Sequence, residues 1–334
     1  MVRLIRWALV SLAVLGLVGP AHTRSQTKKL KVVTSTTILL DFARNVAGDK
    51  AELSSIVPTD GDAHEFEPTP NDLKTLFDAD LILVNGLGLE GFLDKLIKDS
   101  GTKARVVTLT DGMPLRRFAF AETGQSSAQA NLPPGILGFG GLYPCEVPKP
   151  GQNFGECDPH GWQDPTNVIL YTLNIRDALI GADAASAATY RANAALYIAR
   201  LQQLDAEIWQ SVATIPPKNR VLVTNHDALG YFAARYGFKM VGVVLPGGGT
   251  ASEPNPQDMA ALISAIRAQG VPAIFTENIS NNKLASEIAA QTGIKVVQSL
   301  YTDALGAAGS PGETYLGMMR ANARAITAAL GGSA

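Results

Sequence analysis

The sequence predicts an α/β protein with two lobes, each built on a parallel sheet, joined by one long rigid backbone helix. Two blocks of short β-rich runs alternate with helical stretches, one within residues 30–109 and one after residue 218. Such alternation is typical of parallel sheets covered by helices. Between the blocks lie 32 residues, 184–215, that contain neither Gly nor Pro. With 334 residues, 46% of them hydrophobic, the chain is long enough for two domains with a sizeable core.

The strands of the two blocks give the expected domain bounds. The first lobe is predicted to span residues 29–183 and the second lobe residues 216–334. Most of the strands are short runs rich in Val, Ile, Leu and Thr, which favour extended structure. The predicted strands cover residues 30–34, 51–57, 81–84 and 105–109 in the first lobe, and 221–224, 240–245, 273–276 and 295–298 in the second.

Residues 184–215 are predicted to form the helix between the lobes. Their apolar side chains recur at steps of three or four residues, which places them on one helical face. Asp183 is a suitable N-cap, and Pro216 and Pro217 end the pattern. A helix of this length would span about 48 Å, so we expect a stiff connection. The apolar positions are Tyr190, Ala194, Tyr197, Leu201, Leu204, Ile208 and Val212.

The N-terminus is typical of a secretory signal peptide, residues 1–21. Arg3 and Arg6 precede or open an apolar run that ends at Val18, and small residues precede a cleavage site after Ala21. An uncleaved membrane anchor is the alternative, although the run is short for a span. No cysteine near the cleavage site offers an acceptor for a lipid. We therefore expect export to the periplasm of a Gram-negative cell.

The charge balance excludes several classes of protein. The chain has 28 Lys and Arg against 30 Asp and Glu, a net charge of −2, and no basic stripe. Binding of nucleic acid through its phosphates is therefore not expected. Only the first twenty residues are apolar enough to enter a membrane, so a protein with several spans is also excluded. We expect a monomer without membrane insertion once the signal peptide is removed.

Both cysteines, Cys145 and Cys157, lie in the exported part of the chain. In an oxidising compartment one disulfide between them is expected. Metal ligation by thiolates is the alternative, but it lacks the paired spacings of a cysteine-rich zinc site. The surrounding segment is rich in Gly and Pro and lacks a helical period, which predicts a surface loop, about 116–158, closed by the disulfide.

Three of the four histidines share one setting. His64, His160 and His226 each stand just before a predicted helix, and at least two follow the carboxyl end of a strand, the edge where α/β sheets bind ligands. A single histidine at a helix start is usually a capping or surface residue, but the repetition points to a site. Asp303 has the same position after the last predicted strand. Three imidazoles and a carboxylate form a tetrahedral set that suits Zn²⁺.

Several carboxylates lie near these candidate ligands in the sequence. They either accept hydrogen bonds from the free imidazole N–H groups, as a second layer around the metal, or are solvated loop charges, and the sequence leaves both interpretations open. The possible second layer comprises Glu67, Asp227 and Glu277. The nearby carboxylates are Asp62, Glu65, Glu67, Asp227 and Glu277.

The segments around the candidate ligands resemble the periplasmic zinc- and manganese-binding proteins of metal ABC transporters, the cluster A-I solute-binding proteins. The similar stretches follow the order typical of that family and are spread over nearly the whole chain after the signal peptide. They are residues 33–37 (VTSTT), 61–68 (GDAHEFEP), 79–90 (ADLILVNGLGLE), 158–165 (DPHGWQDP), 225–232 (NHDALGYF) and 301–305 (YTDAL).

This resemblance implies a metal ion buried in the cleft between two α/β lobes that are joined by a long backbone helix. The family's ligands fall on His64, His160, His226 and Asp303. The resemblance further implies capture of the ion in the periplasm and its delivery to an ABC permease for import, without catalysis.

Two departures from the family pattern bear on the choice of metal. Zinc importers of the family often have a loop rich in His and Asp before the second ligand, whereas residues 116–157 contain no histidine. A role of such a loop in capture is therefore absent or supplied by a partner, for example a periplasmic metallochaperone. Manganese-selective relatives tend to have a carboxylate at the third ligand position. His226 in that position favours Zn²⁺ over Mn²⁺.

Alternative functions differ in how the metal shell is completed. A manganese-binding protein of the same transporter class would use the same four ligands. An exported zinc hydrolase, a function of another class, would keep one position open for water and need a nearby general base. Four protein ligands would close the shell, which favours binding over catalysis. Adhesion through an exposed surface is a third alternative.

Overall fold

The computed structural model describes residues 29–118, 145, 157–247, 249–250, 252–279 and 282–333. Four parallel strands form the sheet of the first lobe in the order β2-β1-β3-β4, with helices around it. Its elements are β1 (Leu30–Thr34), α1 (Thr37–Ala47), β2 (Ala51–Ser55), α2 (Pro70–Phe77), β3 (Leu81–Val84), α3 (Leu93–Ser100), β4 (Arg105–Thr108) and α4 (Pro165–Ala182).

The second lobe repeats this plan after a long helix, α5 (Ala187–Ala213). Its four parallel strands have the order β6-β5-β7-β8, so in both sheets the first and third strands of the sequence block lie at the centre. Its elements are β5 (Val221–Thr224), α6 (Gly230–Tyr236), β6 (Lys239–Val243), α7 (Pro256–Gln269), β7 (Ala273–Glu277), α8 (Lys283–Thr292), β8 (Lys295–Leu300) and α9 (Tyr315–Ala329).

The predicted fold class is confirmed: two parallel α/β sheets are present together with a long helix between them. The central strands β3 and β5 are buried along their whole length, as strands covered on both faces must be. The predicted strand bounds differ from the observed ones by at most two residues at an end.

Helix α5 is slightly shorter than the sequence pattern suggests. Residues Ala184–Ser186 form a separate 3₁₀ turn, and Asp183 precedes that turn rather than the α-helix. The remaining 27 residues of α5 span about 40 Å. The buried residues of α5 are the seven predicted from the apolar spacing: Tyr190, Ala194, Tyr197, Leu201, Leu204, Ile208 and Val212.

The two lobes share one hydrophobic core that runs along α5. Helix α5 packs against α1 and α4 of the first lobe and against α9 of the second. The cluster includes Val32 of β1 and Phe275 of β7, so residues of both sheets belong to it. Burial of this continuous apolar surface is the main favourable contribution to the arrangement of the lobes.

The helix starts near the histidines have simple local causes. Helix α2 has Pro70 at its first position and a capping box between Thr69 and Asp72. Helix α4 begins in the same way, because the Asp164 carboxylate accepts from the backbone N–H of Thr166. The prediction that a helix opens directly after His226 is wrong by three residues. Helix α6 begins at Gly230, since residues 225–229 form a bend and loop after β5.

Polar contacts between α1 and the second lobe supplement the apolar core. The Thr37 hydroxyl accepts from the backbone N–H of Leu305 at 3.1 Å. The Asp41 carboxylate accepts from the backbone N–H of Tyr315 at 3.2 Å, at the first residue of α9. A carboxylate at a helix N-terminus is stabilised by the unpaired N–H groups and by the helix dipole. The first and last helices of the described part of the chain are thereby joined.

Cys145 and Cys157 form a disulfide, as predicted, with their Cα atoms 5.2 Å apart. Next to it, Arg117 and Cys157 form an isolated antiparallel bridge, so the two ends of the predicted loop lie side by side. The signal peptide 1–21, His22 and the interior of this loop lie outside the described residues. Within the described part of the chain, no helix combines the length and the apolar character needed to cross a membrane.

We expect Asp41 to make the stability of the fold depend on pH. Burial raises the pKa of Asp41 from 3.8 to about 6, against the opposing effects of the Tyr315 N–H and Arg44. The folded state therefore holds the proton more tightly than the unfolded state. The contribution of Asp41 to stability is greatest below about pH 4 and falls by about 3 kcal/mol as pH rises through about 6.

The substitution Asp41→Asn removes this titration and keeps an acceptor for the Tyr315 N–H. Relative to wild type, the variant should gain unfolding free energy between about pH 4 and about pH 7.5, measured by denaturant titration at both values. Asp49→Asn, whose carboxylate is 82% exposed, is the matched control and should show no such gain. An equal change in both variants would contradict the assignment.

Candidate metal centre

The four candidate ligands lie in loops at the edges of the two sheets that face each other. His64 lies between β2 and α2, and His160 immediately precedes the 3₁₀ turn Gly161–Gln163 that leads to α4. His226 follows β5, and Asp303 follows β8. The carboxyl ends of parallel strands are the ordinary ligand-binding edge of an α/β sheet. Each lobe therefore contributes two side chains to the space between the lobes.

These four side chains converge on one point. Each offers one ligand atom, and the four atoms all lie within 4.8 Å of one another. The Nε2 atoms of His64 and His160 are 3.2 Å apart. Asp303 lies 3.1 Å from His64 Nε2, 3.0 Å from His226 Nε2 and 3.5 Å from His160 Nε2. All four residues are at least nine-tenths buried.

The spacing of these atoms fits a tetrahedral metal shell. Zn–N and Zn–O bonds of about 2.0–2.1 Å place neighbouring ligand atoms about 3.3 Å apart in a tetrahedron. Four contacts within the cluster, at 3.0–3.5 Å, lie close to that value, and the four ligand atoms are all within 4.8 Å of one another. The cluster is therefore compact enough to surround one cation.

Hydrogen bonding does not account for every atom at the centre of the cluster. Among the described residues, none forms a hydrogen bond of acceptable geometry with His226 Nε2 or with either carboxylate oxygen of Asp303. Buried polar atoms in native proteins are nearly always satisfied, and an exception calls for an explanation. Lone pairs directed at a shared cation would account for these exceptions.

Asp158 orients His160. Its Oδ1 atom lies 2.8 Å from His160 Nδ1 and accepts from the backbone N–H of His160 at 3.0 Å. With Nδ1 engaged, the Nε2 lone pair is presented to the centre. Asp62 has the same spacing to His64 and accepts from its backbone N–H at 2.8 Å. An Asp two residues before the His thus fixes the loop at both first-lobe ligands.

Glu277 orients His226 from the neighbouring strand β7. One carboxylate oxygen accepts from the backbone N–H of His226 at 2.9 Å, and the other contacts His226 Nδ1. The second oxygen also accepts from the Thr302 hydroxyl at 3.0 Å. Glu277 therefore connects the two second-lobe ligands, because Thr302 directly precedes Asp303.

Helix α9 anchors the loop that carries Asp303. The Asn322 side chain accepts from the backbone N–H of Tyr301 at 2.9 Å and donates to its carbonyl at 2.7 Å. Asn322 is 2% exposed, so these two hydrogen bonds are shielded from water. The position of Asp303 therefore depends on the last helix of the chain.

The imidazoles and carboxylates of the cluster shift one another's pKa values toward the charged forms. Burial lowers the pKa of His226, but the carboxylates of Glu277 and Asp303 outweigh it and raise that pKa well above its usual range. Burial raises the pKa of Asp303, yet the imidazoles of His226 and His160 outweigh it and lower that pKa well below its usual range. The site thus favours a positive charge beside Asp303.

The predicted neighbouring carboxylates differ in their placement. Glu277 contacts a candidate ligand directly, and Asp227 is fully buried beside His226 in the sequence. Glu67 and Glu65 are exposed, so the structure does not bring them into the buried cluster. Asp158 was not among the predicted carboxylates. The Asp-x-His spacing that it shares with Asp62 is the signal that identifies it.

Two parallel α/β lobes on a long helix, with three imidazoles and a carboxylate buried between them, define a metal-binding solute-binding protein. Comparison with known families agrees. Residues 32–329 match the family described as zinc-uptake complex component A, periplasmic, and the chain belongs to that family. It is a substrate-binding protein of a metal ABC transporter and not an enzyme, which rejects the alternative of a hydrolase.

Individual relatives differ in the metal that their names state. The chain is 32% identical over 295 residues to the manganese-binding lipoprotein MntA of Halalkalibacterium halodurans, covering 88% of this chain and 86% of that protein. It is 32% identical over 327 residues to the iron-binding protein YfeA of Yersinia pestis, covering 97% and 93%. The periplasmic zinc-binding protein TroA of Treponema pallidum has a similar structure, with a TM-score of 0.74, 28% identity and coverage of 91% and 99%.

We expect Asp158→Asn to weaken metal binding although Asp158 is not itself a candidate ligand. The amide keeps an acceptor for the N–H groups of His160 but removes the negative charge that raises the basicity of the imidazole. Loss of such a partner typically lowers metal affinity 10- to 100-fold. Competition with a chromogenic chelator measures the change. Asp49→Asn should keep wild-type affinity, and an unchanged affinity in Asp158→Asn would contradict the role of that carboxylate.

Proposed function

We propose that the protein captures one Zn²⁺ ion in the periplasm at His64, His160, His226 and Asp303 and delivers it to an ABC-type permease for import. The observation that carries the proposal is the convergence of four buried ligand atoms from two lobes, all within 4.8 Å of one another. The zinc ion is the transported substrate, and no reaction takes place on it.

The choice of zinc rests on the chemistry of the ligands. Neutral imidazole suits Zn²⁺, whereas Mn²⁺ prefers carboxylate and water ligands at higher coordination numbers. Three imidazoles and one carboxylate fill a tetrahedral shell. Manganese is the second candidate, because MntA is named as manganese-binding and matches most of this chain.

Export and delivery follow from the proposed transport role. We propose that the signal peptide 1–21 is cleaved near Ala21 and that the mature chain acts as a monomer in the periplasm. Its partner is the permease of a metal importer, and a periplasmic metallochaperone is the candidate for replacing the His-rich loop that residues 116–157 lack. Since each lobe supplies two ligands, a small displacement of the lobes on docking would break the tetrahedral shell and release the ion.

Zinc should be retained in preference to manganese. Protein purified from the periplasm without chelator should contain about one zinc ion per chain, and zinc should remain bound in competition at equal free concentrations of the two ions. Elemental analysis after gel filtration measures both. Retained manganese would contradict the selectivity, and protein that binds neither ion would contradict the proposed function.

Each of the variants His64→Ala, His160→Ala and His226→Ala should weaken zinc binding by orders of magnitude. Each removes one of four ligands from a closed shell and leaves a buried gap. Asp303→Ala should have a smaller effect, because water can take the vacant position. Chelator competition measures the affinity, and His22→Ala, the remaining histidine of the chain, is the matched control. An unaltered affinity in any of the three would remove that histidine from the site.

A further inference from the structure

The peptide that precedes Asp303 is held by two donors from the opposite lobe. The carbonyl of Thr302 accepts from Trp162 Nε1 at 2.8 Å and from Gln163 Nε2 at 3.1 Å. Trp162 and Gln163 lie in the 3₁₀ turn directly after His160. The contact therefore crosses the cleft. It joins the residue before Asp303 to the turn that follows His160.

Burial makes this contact strong. Thr302 and Gln163 are 0% exposed and Trp162 is 1% exposed, so water does not compete for the three groups. A buried carbonyl that loses its donors is left unsatisfied and bears the full cost of its desolvation. Both lone pairs of the carbonyl are used, which restrains the direction of the peptide as well as its position.

The surrounding hydrogen bonds restrain the same units further. The Tyr315 hydroxyl donates to the carbonyl of Trp162 at 2.6 Å, so the second lobe also holds the turn that supplies the donors. The Thr302 hydroxyl donates to Glu277, the carboxylate that contacts His226. Neither Trp162 nor Gln163 belongs to the cluster of candidate ligands.

We propose that Trp162 and Gln163 are positioning residues, which hold the Thr302 peptide so that the Asp303 carboxylate stands in its ligand position before the metal arrives. This inference rests on the proposed function of the four residues as metal ligands. With the loop already ordered, binding of the metal does not have to overcome the conformational entropy of that loop. Loss of the two donors lets Asp303 withdraw, which speeds dissociation of the metal.

A thermodynamic cycle with Asp303→Ala tests this inference. The substitutions Trp162→Phe and Gln163→Met remove the two N–H donors and keep an aromatic ring and a side chain of similar length. Combined in the otherwise wild-type protein, they should lower zinc affinity about 10-fold, and by no more than Asp303→Ala does, because they act through that carboxylate. In the Asp303→Ala protein the same pair should change the affinity by less than about twofold, because the residue through which they act is gone.

Two further measurements keep the test decisive. Amide hydrogen exchange of residues 300–305 in the metal-free protein should be faster in the donor variants than in wild type. Gln163→Met alone gives the same readout should the double variant fail to fold. Trp209→Phe is the matched control, since that indole is 40% exposed on α5, and it should change neither affinity nor exchange.

The outcomes separate this inference from the proposed function. An equal loss of affinity in the presence and absence of the Asp303 carboxylate would overturn the positioning role, since the donors would then act on the whole cleft. Unchanged exchange of residues 300–305 would overturn it as well. Wild-type protein that binds no zinc would instead overturn the proposed function.

Discussion

A carboxylate buried among three imidazoles is the constraint on which the geometry of the cleft between the two lobes depends. Asp303 is 1% exposed, and an isolated buried carboxylate would cost several kcal/mol. Its compensation comes from His226 on the same lobe and from His64 and His160 on the other. Neither lobe can satisfy its part of the cluster alone. The two lobes therefore interact electrostatically across the cleft, in addition to sharing one hydrophobic core.

Negative charge exceeds fixed positive charge around this cluster, and that surplus explains the preference for a cation. Asp158 and Glu277 stand behind His160 and His226, and Asp303 stands in front of them. Arg116 forms an ion pair with Asp158 at 3.4 Å and so places a guanidinium beside one of these carboxylates. Because each outer carboxylate engages an Nδ1 atom, the inner Nε2 atoms are left as ligands. Asp158 and Glu277 therefore both orient the two imidazoles and supply negative charge behind them.

Local patterns in the sequence predicted most of the fold and the four members of the cluster. The seven buried residues of α5 follow from apolar spacing, and the strands follow from β-branched runs. Contacts over long sequence separations escaped prediction. Trp162 and Thr302 are 140 residues apart, and nothing in either segment specifies that an indole N–H meets that carbonyl. The start of α6 was predicted three residues too early. Residues 225–229 form a bend and loop, in which the backbone N–H of His226 donates to Glu277 on another strand.

The anchoring of Tyr301 by Asn322 bears on when the protein becomes able to hold its cargo. Asn322 lies on α9, 96 residues after His226, and Tyr315 of the same helix joins α1. While a polypeptide is still being synthesised or threaded through a pore, these residues appear after all three histidines. A growing chain thus has its histidines long before it has the support that holds Asp303 in place. The metal site can therefore become complete only after α9 has emerged and folded against the loop that carries Asp303.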